Sequence, residues 1–171
     1  MLTPAIKASI NKSVLCWLAT ADKSNLPNVS PKEMFTFEGD STLLIAHIAS
    51  PNSLKNIKVN PQVCVSILDI FVQKGYQFKG YATIIDHKHP LFAAKAQLII
   101  DLFGTTYPFT QLIDIDIQEV KPIIAPSYLL FPESTEESRI ANAMTSYNVQ
   151  PINKPSILSN TSQQPLVRDI E

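Results

Sequence analysis

Apolar and polar residues follow two different periods along this chain, and the points where one period gives way to the other predict its elements. Ile113, Ile115 and Ile117 alternate with Asp114, Asp116 and Gln118, which predicts a strand with one face on a core and the other on water. Val14 to Thr20 is rich in strand formers and apolar on both faces, as a central strand should be. Further strands are predicted over 26–37, 42–48, 62–69 and 78–86. Helical spacing takes over from Pro4 to Ser13, where Ala5, Ile6, Ala8 and Ile10 lie between Lys7 and Lys12. It returns after His89-Pro90, in a largely apolar helix stopped by Gly104, and again over 133–147, with Ile140, Ala141, Met144 and Tyr147 on one stripe. Gly80 sits inside a strand, where it marks a bulge, a barrel corner or the close approach of a ligand.

Six strands with short connections, a short helix between the third and fourth and a longer one before the sixth predict an α+β fold, mainly β. The architecture expected is a six-stranded antiparallel barrel with peripheral helices over residues 1–148. From Val149 the periodicity stops and Pro151, Pro155 and Pro165 stand among Ser, Asn and Gln. Residues 149–171 are therefore expected to be a flexible tail or an arm that embraces a second subunit.

Composition narrows the function by exclusion. The 171 residues are 45% hydrophobic and 17% charged, with a net charge of -1. Arg139 and Arg168 are the only arginines, so no broad basic surface is expected to track a nucleic acid. No apolar run approaches the roughly 18 residues of a membrane span, and the start lacks the pattern of an export signal, so a cytoplasmic protein is expected. Cys16 and Cys64 lie in apolar strands and suit reduced thiols. His47, His87 and His89 have no partners at metal-ligand spacing, so no metal site is assigned.

Two stretches carry the candidate chemistry. In Ile48-Ala49-Ser50-Pro51-Asn52-Ser53-Leu54-Lys55-Asn56-Ile57 an apolar strand hands over to a short helix, with Ser50 at the N-cap and Pro51 at the first helical position. A helix start with unpaired N–H groups, hydroxyls and Lys55 can seat a phosphate. The plainer reading is an ordinary helix start with Lys55 and Lys58 on its wet face. Upstream, Asn28-Val29-Ser30-Pro31-Lys32-Glu33 interrupts the second strand with polar groups and a proline. That segment is either a bent ligand-facing patch or an edge strand blunted by Pro31 and Lys32. There is no Gly-rich phosphate loop, metal box or nucleophile elbow. The residues alone lead to a barrel with an anion pocket and stop there.

Taken together, Cys16-Trp17-Leu18-Ala19-Thr20, Pro27-Asn28-Val29-Ser30-Pro31-Lys32-Glu33-Met34, Ile48 to Ile57 and Asn60-Pro61 before a valine-rich strand resemble the pyridoxamine 5'-phosphate oxidase-like flavoproteins, over about residues 5 to 147. The resemblance implies a split β-barrel that binds FMN at the interface of a homodimer. It implies that Ser50, Ser53 and Lys55 hold the phosphate, with Leu54 among the binding segment, and that Lys32 reaches the phosphate or the ring. Asn28, Ser30, Ile48 and Ala49 would line the isoalloxazine edge, and Gln73 and Lys74 would come from the other subunit. The chain departs from true pyridoxamine phosphate oxidases: Leu54 stands where one arginine would, and the carboxy-terminal Arg/His substrate motif is absent. The implied activity is therefore an FMN-dependent oxidoreductase of unidentified substrate, with NAD(P)H as a donor. The alternatives are a non-catalytic flavin-binding or flavin-sensing module, or a relative that uses heme or a deazaflavin.

Overall fold

The computed structural model describes residues 1–152, so the tail expected at 149–171 lies almost wholly outside the described residues. The strands are β1 (Cys16–Ala21), β2 (Pro27–Lys32), β3 (Phe35–Glu38), β4 (Thr42–His47), β5 (Gln62–Asp69), β6 (Lys74–Asp86) and β7 (Gln111–Ile124). The helices are α1 (Pro4–Lys12), α2 (Pro51–Val59), α3 (Phe92–Phe103), α4 (Ser127–Leu130) and α5 (Glu136–Tyr147). All strand pairs are antiparallel, in one sheet of order β2-β1-β5-β6-β7-β4-β3.

The sheet has seven strands where six were expected, because the segment 26–37 divides at Glu33 and Met34. Its halves become the two opposite edges of the sheet, β2 beside β1 and β3 beside β4. Lys32 and Phe35 are three residue steps apart, at most about 11 Å of chain, so the sheet must curl until its edges nearly meet. A covalent link bridges the seam in place of ladder hydrogen bonds, and the barrel is split there. Pro31, which has no N–H to donate, is tolerated because β2 is an edge.

The long pair β6 and β7 runs further than its hydrophobic pattern suggests, from Lys74 opposite Ile124 to Asp86 opposite Gln111. Of the roles open to Gly80, the structure shows a bulge: the register slips between Lys79 and Gly80. A Cβ added at Gly80 would stand 2.1 Å from the Asp116 carbonyl oxygen. Gly80→Ala should therefore destabilise the fold by about 1–3 kcal/mol, the usual cost of forcing atoms into a packed site, read as a lower urea midpoint at unchanged m-value.

The barrel interior is filled by Leu18, Phe35, Ile45, Ile67, Phe78 and Ile115, with Ile10 of α1 and Ile57 of α2 closing it. A second cluster, built from Met34, Leu44, Ala46, Ile99 and Leu112, packs α3 against the other face of β4 and β7. That is why β4 reads as a continuous apolar run: it is buried on both faces. Within this layer Lys95 of α3 is buried and ion-paired to Glu38 and, at 2.9 Å, to Asp114. Burial works against the Lys95 charge, but its bonds to Glu38 and Asp114 outweigh it and hold the ammonium above its ordinary pKa. No helix among the described residues is long and apolar enough to cross a membrane.

Candidate functional site

Strand β2 is laid down inside out. Asn28, Ser30 and Lys32 alternate onto the face that meets α2, while Pro27, Val29 and Pro31 are exposed. The polar face is satisfied by hydroxyls and amides of α2 and β1. Ser30 Oγ and Ser53 Oγ are 2.9 Å apart, and Asn28 Nδ2 donates to Ser53 Oγ and to Thr20 Oγ1, each at 3.4 Å. Asn56 Nδ2 donates to Thr20 Oγ1 at 3.1 Å and completes the ribbon. Ser53 and Asn56 lie three residues apart on one face of α2, the spacing that lets both meet the same strand pair.

Lys32 ends this ribbon. It is only 7% exposed, and its Nζ donates to Ser50 Oγ at 2.6 Å, Ser30 Oγ at 2.7 Å and the Pro31 carbonyl at 3.1 Å. No carboxylate among the described residues lies within ion-pair distance of it. Burial pushes its pKa below the ordinary lysine range, because an ammonium taken out of water without a counter-charge is disfavoured. Burial, and then the Lys32 charge, likewise lower the pKa of His47, next in line on β4.

This ammonium forms part of the wall of a cavity of about 460 Å³, whose other walls are Ser30, Ser50, Ile48, Ala49, Met34 and Phe103 among others. Ser50 occupies the N-cap position of α2, as its sequence predicts, yet its side chain accepts no backbone N–H. Its hydroxyl is turned to Lys32 instead, since a charged donor is the stronger partner. The cavity thus has one apolar side and one side of hydroxyls around the Lys32 cation, with the exposed Glu33 also on its wall but outside ion-pair distance of Lys32; the ammonium and hydroxyls are a donor set suited to an anionic or electron-rich planar group.

The sequence-predicted residues fall into three groups. Ser30, Lys32, Ile48, Ala49 and Ser50 line the cavity together, with Asn28 and Ser53 behind them in the hydrogen-bonded ribbon. Leu54 turns into the barrel core, and Lys55 is exposed on the opposite side of α2, where its charge lowers the pKa of Asp22 after the Ser24 and Leu26 hydrogen bonds. Gln73 and Lys74 stand at the β5–β6 turn, away from the cavity of their own chain. There Gln73 is left-handed (φ 58) and Lys74 pairs with Glu136 at 2.6 Å over the Tyr128 ring. Thr20, Asn56, Phe103 and Tyr107 were not expected. Asn56 was visible as the helical neighbour of Ser53, but nothing in the sequence brings the end of α3 to this wall.

The seam of the split barrel is thus marked by a buried cation beside a helix start, and among the described residues no group of three or more His, Cys, Asp or Glu is placed to hold a metal ion. The family model described as pyridoxamine 5'-phosphate oxidase matches residues 2–123, and the chain belongs to that family. No curated protein sequence matches it. Among solved structures it is similar to HupZ of Group A Streptococcus, with a TM-score of 0.64 at 21% identity over 73% of this chain and 96% of that one. An FMN-binding protein from Syntrophomonas wolfei matches with a TM-score of 0.59 at 16% identity, covering 68% of this chain and 82% of that one. HutZ, described as a heme storage protein of Vibrio cholerae, matches with a TM-score of 0.56 at 23% identity, over 72% and 94%. At these identities the structural likeness shows the fold alone.

Proposed function

We propose that this protein is an FMN-dependent oxidoreductase that moves a hydride or electrons to or from a small molecule, with the flavin held between two copies of the chain. The observation that carries this reading is Lys32: a buried ammonium, bonded only to neutral oxygens, facing a cavity of about 460 Å³. A flavin nucleotide supplies what that cation lacks, an anionic phosphate or an electron-rich pyrimidine edge. FMN bound there supplies the redox chemistry itself. Lys32 favours negative charge at the point it faces, and Ser30 and Ser50 hold its Nζ in place. Met34, Ile48, Ala49 and Phe103 keep that side of the cavity apolar.

The second copy is supported by the inverted strand. Trp17 is 47% exposed and Val29 56%, and Trp17 stands opposite Pro31 on the outer face of β1 and β2, an apolar patch of the kind that marks an interface. Gln73 and Lys74 are the residues a twofold partner would bring to the flavin. Trp17→Lys should yield a monomer in sedimentation velocity and retain less FMN than wild type. A dimer of undiminished flavin content would place the interface elsewhere.

The catalytic reading is tested by adding NADH or NADPH to the yellow protein without oxygen. Bleaching of the flavin bands with either donor is expected. Colour that persists with both, but is lost with dithionite, would point to a flavin-binding module, and a heme spectrum in the protein as isolated would overturn the cofactor.

A further inference from the structure

A second cavity, of about 230 Å³, is walled by α3 and the loop that follows it and has Tyr107 in common with the first. Its walls are Phe92, Ala96 and Ile100 of α3 with Tyr107, Phe109 and Thr105 of the loop, and none of the residues lining it is charged. Phe92 and Phe109 meet edge to face, with centroids 6.3 Å apart, so the aromatic wall is packed rather than loose. The helix that carries half of this wall is pinned to the sheet by Lys95 between Glu38 and Asp114. The Gly104 backbone (φ 70) turns the chain sharply from α3 into the loop.

We propose that this cavity holds the apolar arm of the substrate, and that the substrate is an aryl- or alkyl-substituted small molecule without a phosphate. The inference rests on the flavin reading for the first cavity, over which the reacting head would lie. Tyr107 lines both cavities, so that side chain marks where an arm would pass from a head in the first to the second. A phosphorylated arm would need charge-assisted donors, and the second cavity offers none, whereas each buried methylene is worth about 0.8 kcal/mol. Selection for size and apolarity follows, with Thr105 the one polar side chain other than the Tyr107 hydroxyl on the wall.

The test is a calorimetric titration of phenol, 4-ethylphenol, 4-butylphenol and phenyl phosphate into FMN-loaded and FMN-free protein. Affinity should rise about fourfold per added methylene, the factor that corresponds to 0.8 kcal/mol, and phenyl phosphate should bind no better than phenol. Thr105→Asp, on an exposed loop, and Ile100→Phe, which occupies the space, should each cut the gain to less than twofold per methylene. A flat series in wild type, an unchanged gain in both variants, or phenyl phosphate binding tenfold tighter than phenol would overturn the proposal. A steep series in a protein that takes up no FMN would keep the arm cavity and overturn the flavin reading, and a flat series in FMN-loaded protein would do the reverse.

Discussion

Replacing Lys32 by methionine should weaken FMN binding by about 10- to 140-fold, the equivalent of a charged hydrogen bond worth about 1.5–3 kcal/mol. The same change should not lower the stability of the flavin-free protein. Lys32 is 7% exposed and its ammonium is bonded only to two hydroxyls and a carbonyl, so the fold bears an uncompensated charge that methionine removes. Fluorescence quenching of FMN reads the first effect and urea unfolding the second. A pH signature accompanies them. Burial holds the Lys32 pKa below that of the unfolded chain, so between the two values the unfolded state binds the extra proton and stability rises with pH. Lys32→Met should flatten that rise. Lys55→Ala, on the exposed outer side of α2, separates two seats for the phosphate. A loss smaller than that of Lys32→Met is expected if the anion sits at the start of α2, and a larger one would move it to the outer face.

The second large effect is expected at Lys95. Methionine there leaves the partly buried Asp114 and the more exposed Glu38 facing each other without their shared cation. Breaking a buried pair costs about 3–5 kcal/mol, and because the Glu38 side chain is 41% exposed we expect about 2–4 kcal/mol here. In a domain of this size that is roughly a 5–15 °C drop in Tm. Because Lys95 ties α3 to the sheet, and α3 carries Phe103 to the cavity wall, FMN affinity should fall with it. Adding Asp114→Asn should recover part of the lost stability by removing the charge left behind. A Tm within 2 °C of wild type in Lys95→Met would show that the α3 layer stands on its apolar contacts alone.

Much of this architecture was legible in the chain because period and burial agree. The alternation of β7 and the two-sided apolar run of β4 both follow from what they pack against. Ser50-Pro51 announced the start of α2, and the polar interruption at Asn28 to Glu33 announced that β2 does not behave as a core strand. The sequence could not show that this interruption is the seam of the barrel. That depends on β2 and β3 pairing with different partners, β1 and β4, which no local pattern encodes. Nor could it show that Ser50 would give its hydroxyl to Lys32 rather than to its own helix, since that choice is made by a strand 18 residues away. Phe103 reaches the cavity through the packing of α3 on the second core cluster and Tyr107 through the loop that follows α3, and their spacing in sequence carries no trace of either.

The most direct measurement is a paired titration of flavin-free protein with FMN and with riboflavin, which lacks the phosphate. Saturation at one FMN per chain, with riboflavin at least about tenfold weaker as loss of a charge-assisted phosphate contact requires, is the result this account predicts. Equal affinity for the two, or no quenching by either, would contradict a phosphate seat at the hydroxyls and ammonium where β4 passes into α2.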